Sequence, residues 1–299
     1  METPGAAAEP PRTARTPAGD CYTKGAAMNG QLIDNMPDAD YRAAAGLAFS
    51  KLVRIDQSPA HTLVKRKATT AMDFGRAAHV CILEPTRFVG LYAPAPRVDR
   101  RTKAGKDAYE AARQQTPNAE LLPEDDYETL IAMRKGVYAN ANLQRILSAP
   151  HMTEASMFWT DQTTGLALKG RADWLSRRGV LIDLKTTEDA SVEAFERSLA
   201  TWDYFGQLAY YADGATACGI DVQHCLLIAV EKEQPFGVAV YQIDDSALDA
   251  GRAMNRWRLT RYAQCVKDNS WPGYPAHIQT IGLPAWKLKQ IEHMKGVCG

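Results

Sequence analysis

An α/β domain is the fold class predicted by three patterns in this sequence. Two segments in the middle of the chain, Leu166 to Asp173 and Val180 to Lys185, alternate with period two, as strands with distinct faces do. Around them lie stretches with apolar residues at helical spacing, at 38–55, 71–83, 192–200, 203–217 and 245–267. With 45% of its 299 residues hydrophobic, the chain can close one sizeable core.

Residues 1–27 are rich in Ala, Pro, Gly and Thr without periodicity and read as a disordered arm. Residues 28–299 read as a single domain with a helical N-terminal portion. Its first helix, 38–55, is ended by Ser58-Pro59, and the second, Ala71 to Leu83, is stopped by Pro85. In that second helix Gly75 and His79 are four apart and share a face. The Pro-rich region 94–125 reads as a long connection with one helix near 106–114, and 125–148 as one or two helices. Strands then begin near Glu154 with Ala155 to Thr160, turning at Asp161 to Gly165 and again at Arg177-Arg178-Gly179, a three-stranded meander. In the helix from 203, Gln207 and Tyr211 share a face. Cys225 to Glu231 and Val238 to Ile243 read as a further hairpin before the long last helix.

Thirty-five basic and 35 acidic residues cancel, which argues against a protein that coats nucleic acid but not against one with a local basic channel. Lys65-Arg66-Lys67 and the run holding Arg97, Arg100, Arg101, Lys103 and Lys106 are the candidate phosphate contacts; a solvated surface is the alternative. Six scattered cysteines form no CxxC pair, so reduced thiols are expected rather than a zinc knuckle or a disulfide framework. No apolar run is long enough to span a bilayer and no charged-then-apolar leader is visible, so a cytoplasmic protein without membrane contact is expected.

Chemistry concentrates on the strand pair. Lys169, Arg171 and Asp173 share one face of the first strand, and Asp183 and Lys185 share one face of the second. Two carboxylates on adjacent strands with an ammonium two residues on suit a hard divalent cation and phosphodiester hydrolysis. The apolar run Val180-Leu181-Ile182 and Leu184 implies a strand covered on both faces, where an unpaired Asp183 would be costly.

In order along the chain, Gly75-x3-His79, Glu154, Gly170-Arg-Ala-Asp173, Asp183-Leu-Lys185 and Gln207-x3-Tyr211 resemble the motif set of the PD-(D/E)xK nuclease superfamily in its RecB-like form. The closest resemblance is to the RecE-like exonucleases of phage and prophage origin, over roughly residues 38–290. The resemblance implies a restriction-endonuclease-like fold, a central mixed sheet flanked by helices. It implies Mg²⁺ dependence, with Mn²⁺ as a substitute, and digestion of linear double-stranded DNA from 5′ ends to leave 3′ overhangs. It also implies a ring-like homo-oligomer, trimer or tetramer, and a single-strand annealing protein of RecT type as partner.

Within that reading Asp173 and Asp183 ligate Mg²⁺, with the Leu184 carbonyl as a further hard oxygen. Lys185 polarises the attacking water and stabilises developing charge. His79 and Glu154 complete a second metal position or orient the water, although a helix histidine packed under the sheet and a strand-edge carboxylate are the plainer alternatives. Gln207 and Tyr211 position the phosphate or the lysine, with packing at the edge of the core as the alternative. Arg171, Thr186, Arg100 and Arg101 contact DNA, with a helix cap as the other role for Thr186 and Thr187. Three competing readings remain: a RecB-like single-strand nuclease or endonuclease, a non-catalytic DNA-end-binding module, and an unrelated Mg²⁺ phosphohydrolase.

Overall fold

The computed structural model describes residues 30–65 and 69–297; the expected arm at 1–27 and Arg66 and Lys67 of the basic cluster lie outside the described residues. From the N-terminal side, β1 (Gln31–Ile33), α1 (Asp38–Ala43), β2 (Leu47–Ala48) and α2 (Phe49–Leu52) precede two 3-10 turns at Val53–Asp56 and Pro59–Leu63. Helices α3 (Thr70–Leu83) and α4 (Pro85–Leu91) follow, then β3 (Tyr92–Pro94), α5 (Lys103–Gln115) and β4 (Glu120–Leu122), with β3 and β4 pairing in a small separate sheet. Helices α6 (Glu124–Ala139) and α7 (Ala141–Leu147) lead into the meander β5 (Met152–Thr160), β6 (Ala167–Leu175) and β7 (Val180–Thr187). Helices α8 (Val192–Thr201) and α9 (Tyr204–Ala217) cross over to β8 (His224–Glu231), followed by β9 (Val238–Gln242), α10 (Asp245–Asp268) and α11 (Ala285–Val297).

The main sheet has seven strands in the order β1-β5-β6-β7-β8-β9, with β2 added alongside β6. Only β7 with β8 and β2 with β6 are parallel, so the sheet is mixed, as expected. The parallel β7–β8 pair needs the long α8–α9 crossover. One sheet face packs Met157, Leu168, Ala172, Leu181 and Leu227 against α9 and α10. The other packs Trp174, Ile182, Leu184 and Ile228 against α3, α6 and α7. This two-sided cover accounts for the near-continuous apolar sequence of β7.

The strand pairing leaves a gap that positions the site. Strand β7 pairs with β6 only at Ile182–Trp174 and Leu181–Leu175, whereas β2 pairs on β6 at Leu168 and Lys169. Between these contacts β6 carries Gly170 to Asp173, where β7 has diverged from it.

Two segmental expectations are corrected. The helix expected over 38–55 is broken into α1, β2 and α2 because Gly46, at φ +129°, passes close to β6: a Cβ there would lie 3.1 Å from the Leu168 carbonyl carbon. Pro85 ends α3 as expected but also opens α4 from its first turn, where a missing N–H is tolerated. The stretch 125–148 forms two helices because the Asn140 side chain accepts from Asn142 and Leu143 N–H and caps α7.

Candidate active site

Three carboxylates lie in one row across the sheet. The register that pairs Thr153 with Trp174 and Ala155 with Ala172 puts Glu154 opposite Asp173. The register of Trp174 with Ile182 puts Asp173 opposite Asp183. At this row the pleat is interrupted. Met152 and Ala155 of β5, and Ala172 and Leu175 of β6, pack on the α9 side, so two consecutive residues of each strand lie between them out of alternation. Glu154 carries the distortion with φ +49°, a left-handed conformation unfavourable for a side chain of its size and typical of functional positions.

Where β6 and β7 part, two main-chain groups lose their ladder partners and take side chains instead. Leu184 N–H donates to Asp173 Oδ2 at 2.8 Å, and Leu184 C=O accepts from His79 Nε2 at 2.8 Å. His79 reaches from α3 with its Nδ1 3.4 Å from Asp173 Oδ1. The carbonyl facing Nε2 requires a proton there, and the carboxylate facing Nδ1 favours a second one. Burial alone would lower the His79 pKa, but the Asp173 charge and hydrogen bond outweigh it and push it up to about 9. Burial likewise favours a neutral Asp173, and His79 reverses this, holding Asp173 below the usual carboxylate range. The imidazolium therefore lies between a carboxylate and a carbonyl oxygen.

Ligand atoms of His79, Glu154 and Asp173 all lie within 4.8 Å of one another. Burial first, and then the neighbouring Asp173 charge, raise Glu154 to about 7 despite Arg171 and His79. Asp183 stands outside this converging group, because it lies on the α9 side of β7 while Ile182 and Leu184 face α3. It is 2% exposed, and its pKa is raised, by burial first and with Lys185 opposing. Lys185 Nζ lies 2.7 Å from Asp183 Oδ2 and is the ion-pair partner of this buried carboxylate. A buried carboxylate offset by a single lysine, a backbone carbonyl turned into the gap and a Glu poised near neutrality are a donor set that fits a hard divalent cation.

Helix α9 anchors the lysine. Lys185 Nζ donates to Gln207 Oε1 at 2.8 Å and lies 4.5 Å from the centroid of the Tyr204 ring. Gln207 Nε2 in turn donates to the Tyr211 hydroxyl at 3.1 Å. Gly170 makes this possible, since a Cβ there would meet Tyr211 Cδ1 at 3.0 Å. Burial disfavours the ammonium, but Asp183 and Asp173 more than compensate and raise the Lys185 pKa.

A profile of the PDDEXK-like domain of unknown function DUF3799 matches residues 48–284. The chain belongs to this family. Among solved structures, this PDDEXK-like domain resembles a Eubacterium rectale protein assigned as an exonuclease, at 11% identity, with 84% of this chain and 94% of the other covered and a TM-score of 0.52. That likeness shows a shared fold, and the family match makes it the expected PD-(D/E)xK fold. A phage-related exonuclease from Haemophilus somnus 129PT matches at 12% identity over 65% of this chain and 95% of its own, with a TM-score of 0.32. An alkaline exonuclease from Laribacter hongkongensis matches at 15% identity over 64% and 91%, with a TM-score of 0.27. No curated protein matches.

The structure brings His79, Glu154, Asp173, Asp183, Leu184, Lys185, Gln207 and Tyr211 of the PDDEXK-like domain to the β6–β7 gap. Arg171 is there too, yet its guanidinium is occupied. It donates to Ser156 Oγ and to the Met36 carbonyl, lies 3.3 Å from Glu154 Oε2 and sits 4.1 Å over the Tyr41 ring. This makes it a holder of Glu154. Thr186 lies within β7 beside Val230, and Thr187 Oγ1 donates to Asp189 C=O, so neither caps α8, whose N-cap is Ser191. Arg100 and Arg101 stand at the start of α5, one over the Tyr109 ring and the other paired with Asp99. Arg97 in the same run is surrounded by Glu124, Asp125 and Glu128, which removes it as a free phosphate contact. Tyr204 and Ser156 were not anticipated from sequence; Tyr204 precedes Gln207 by three, one helical turn, which is the signal that could have found it.

Proposed function

We propose that this protein is a divalent-metal-dependent exodeoxyribonuclease that degrades linear double-stranded DNA, 5′ to 3′, leaving 3′ single-stranded overhangs for strand annealing. The observation that carries the reading is the row Glu154, Asp173, Asp183 beside a half-buried, fixed Lys185. DNA binding alone needs neither a pair of buried carboxylates nor an ammonium held on three sides. Asp173, Asp183, the Leu184 carbonyl, Glu154 and His79 would hold Mg²⁺, or Mn²⁺ in its place. When bound, the cation supplies Lewis acidity toward the phosphate and the attacking water.

The chain's own residues supply the rest. Lys185 Nζ, fixed by Asp183, Gln207 and Tyr204, faces the charge that grows on the phosphate and needs no reorganisation to do so. Glu154, held by Arg171, orients the attacking water. For His79 to serve as a ligand through Nδ1, the proton that faces Asp173 would have to leave that nitrogen. Gln207 and Tyr211 keep the ammonium in line. Arg100, Arg101 and Thr186 are assigned as backbone contacts to the duplex. A ring-like homo-oligomer and a RecT-type annealing partner complete this reading.

The test is digestion of a linear duplex labelled separately at its 5′ and 3′ ends, beside a covalently closed circle, with Mg²⁺ or EDTA. Mg²⁺-dependent release from 5′ ends alone, with the circle intact and Lys185→Ala inactive, is the expected result. Cleavage of the circle would make the protein an endonuclease, and no cleavage of any DNA would leave only end binding.

A further inference from the structure

The geometry points to Arg258 as a positioning residue that sets Lys185 through the first turn of α9, an inference that rests on the nuclease reading above. Arg258 lies in α10 and is 1% exposed, a burial that arginine tolerates only when its charge is paired. Its guanidinium spans two elements. Nη1 donates to Asp203 Oδ2 at 2.6 Å and to Asn255 Oδ1 at 3.1 Å, while Nε and Nη2 donate to Asp56 at 2.9 and 2.5 Å.

Asp203 is the N-cap of α9 and sits in the left-handed region at φ +56°, a conformation a non-glycine residue keeps only when its surroundings hold it. The same α10 turn holds the next residues, because Asn255 Nδ2 donates to Gly206 C=O at 2.8 Å. The fit has no slack: a Cβ on Gly251 would lie 2.7 Å from Phe205 O, and one on Gly206 would lie 2.4 Å from Asp203 Oδ1. The turn so fixed carries Tyr204 and Gln207, two of the three groups around Lys185 Nζ. Arg258 therefore reaches the lysine through one helical turn, without touching the site itself. Its other arm, to Asp56 on the 3-10 turn Val53–Asp56, ties in the N-terminal segment and contributes stability only.

The two arms can be separated. Asp203→Asn cuts the arm to α9, Asp56→Asn cuts the arm to the N-terminal segment, and Arg258→Lys removes the fork. Each is measured for kcat and KM on a linear duplex in Mg²⁺, for thermal midpoint, and for amide hydrogen exchange over 204–211. Misplacing a catalytic group by about 1 Å loses up to ~100-fold in rate. Asp203→Asn and Arg258→Lys are expected to lower kcat by about tenfold or more with KM within about twofold, and to speed exchange over 204–211. Asp56→Asn should lower the midpoint and leave kcat unchanged. In a Gln207→Ala background the further kcat loss from Asp203→Asn should shrink to less than about threefold, since both act on the same contact.

Equal kcat losses from Asp56→Asn and Asp203→Asn, or full multiplicative losses with Gln207→Ala, would overturn the inference in favour of plain stability. A wild type that cleaves no DNA would sink the nuclease reading instead, and the exchange measurement would still report whether Asp203 and Arg258 order the turn. Unchanged exchange over 204–211 in both variants would overturn the positioning claim outright.

Discussion

Replacing Glu154 with Gln should make the metal-free protein more stable, and by an amount that depends on pH. The structure supplies the size. Burial, reinforced by the Asp173 charge, raises Glu154 from an ordinary value of 4.5 to about 7. A carboxyl whose folded pKa lies above its unfolded one favours the fold below the unfolded value and loses that contribution as pH rises through the folded value. Gln has nearly the shape of the protonated acid, so the variant does not suffer this loss. The expected advantage of Glu154→Gln is about 1 kcal/mol at pH 5, about 3 kcal/mol at pH 8 and nothing near pH 3, to within a factor of about two. Urea denaturation in EDTA at these three pH values measures it. Mg²⁺ should then raise the thermal midpoint of the wild type more than that of the variant, because binding to the native state alone stabilises it. An advantage that is the same at pH 5 and pH 8 would refute the claim that Glu154 is held against its charge.

Lys185→Met leaves Asp183 buried without its cation, which should destabilise the metal-free protein by roughly 3 kcal/mol at pH 8 and by less at lower pH, because burial already raises Asp183 and removing the opposing lysine raises it further; denaturation at pH 8 and pH 5 checks it, alongside a loss of about 100-fold or more in Mg²⁺-dependent cleavage. Gly170→Ala drives a Cβ to 3.0 Å from Tyr211 Cδ1 and should lower stability by about 1–3 kcal/mol and cleavage with it, whereas Gly165→Ala, where the added Cβ meets nothing within 4 Å, should lower stability only through its positive φ and leave cleavage intact. At the far end of the sheet, burial favours a neutral Asp161, but the two bonds from Arg256 and those from Thr164 outweigh it and hold its pKa below the usual range. Arg256→Met should therefore lose about 1 kcal/mol at pH 7, a figure reduced for the half-exposed guanidinium, and the gap to wild type in thermal midpoint should close as pH falls below about 4.

What the sequence revealed of the site was its local part. The alternation in β6 and β7 assigned Ile182 and Leu184 to one face and Asp183 and Lys185 to the other, and the structure has them so. Four-residue spacing put Gln207 and Tyr211 on one helix face, where they bond each other. Interactions between distant segments were not legible. Arg97 looked like a free cation in its own segment, and its neutralising acids arrive with α6. Arg258 and Asp203 are 55 positions apart, and no local pattern links them. Strand β2, two residues long, is too short for any periodicity to show, yet it occupies the edge of β6 that β7 has left. The left-handed Glu154 was equally invisible, since nothing in Thr153-Glu154-Ala155 demands it.

The row of carboxylates suggests why the site lies where the sheet comes apart. A continuous β6–β7 ladder would consume Leu184 N–H and C=O in main-chain bonds and leave Asp173 beside them with no donor. Divergence frees both groups, and the fold then satisfies them with Asp173 and His79, the same side chains that converge with Glu154. The groups that could hold a cation are thus the ones that repair the broken ladder in its absence. The repair is incomplete: burial raises Asp183 despite the lysine beside it, and burial holds Glu154 near neutrality. Both defects lower the stability of the metal-free fold, and both would be relieved by one positive charge placed in the gap. A site that is destabilised until its cation arrives gives the strand divergence a chemical reason, because a fully paired sheet would be more stable and would have nothing to bind with.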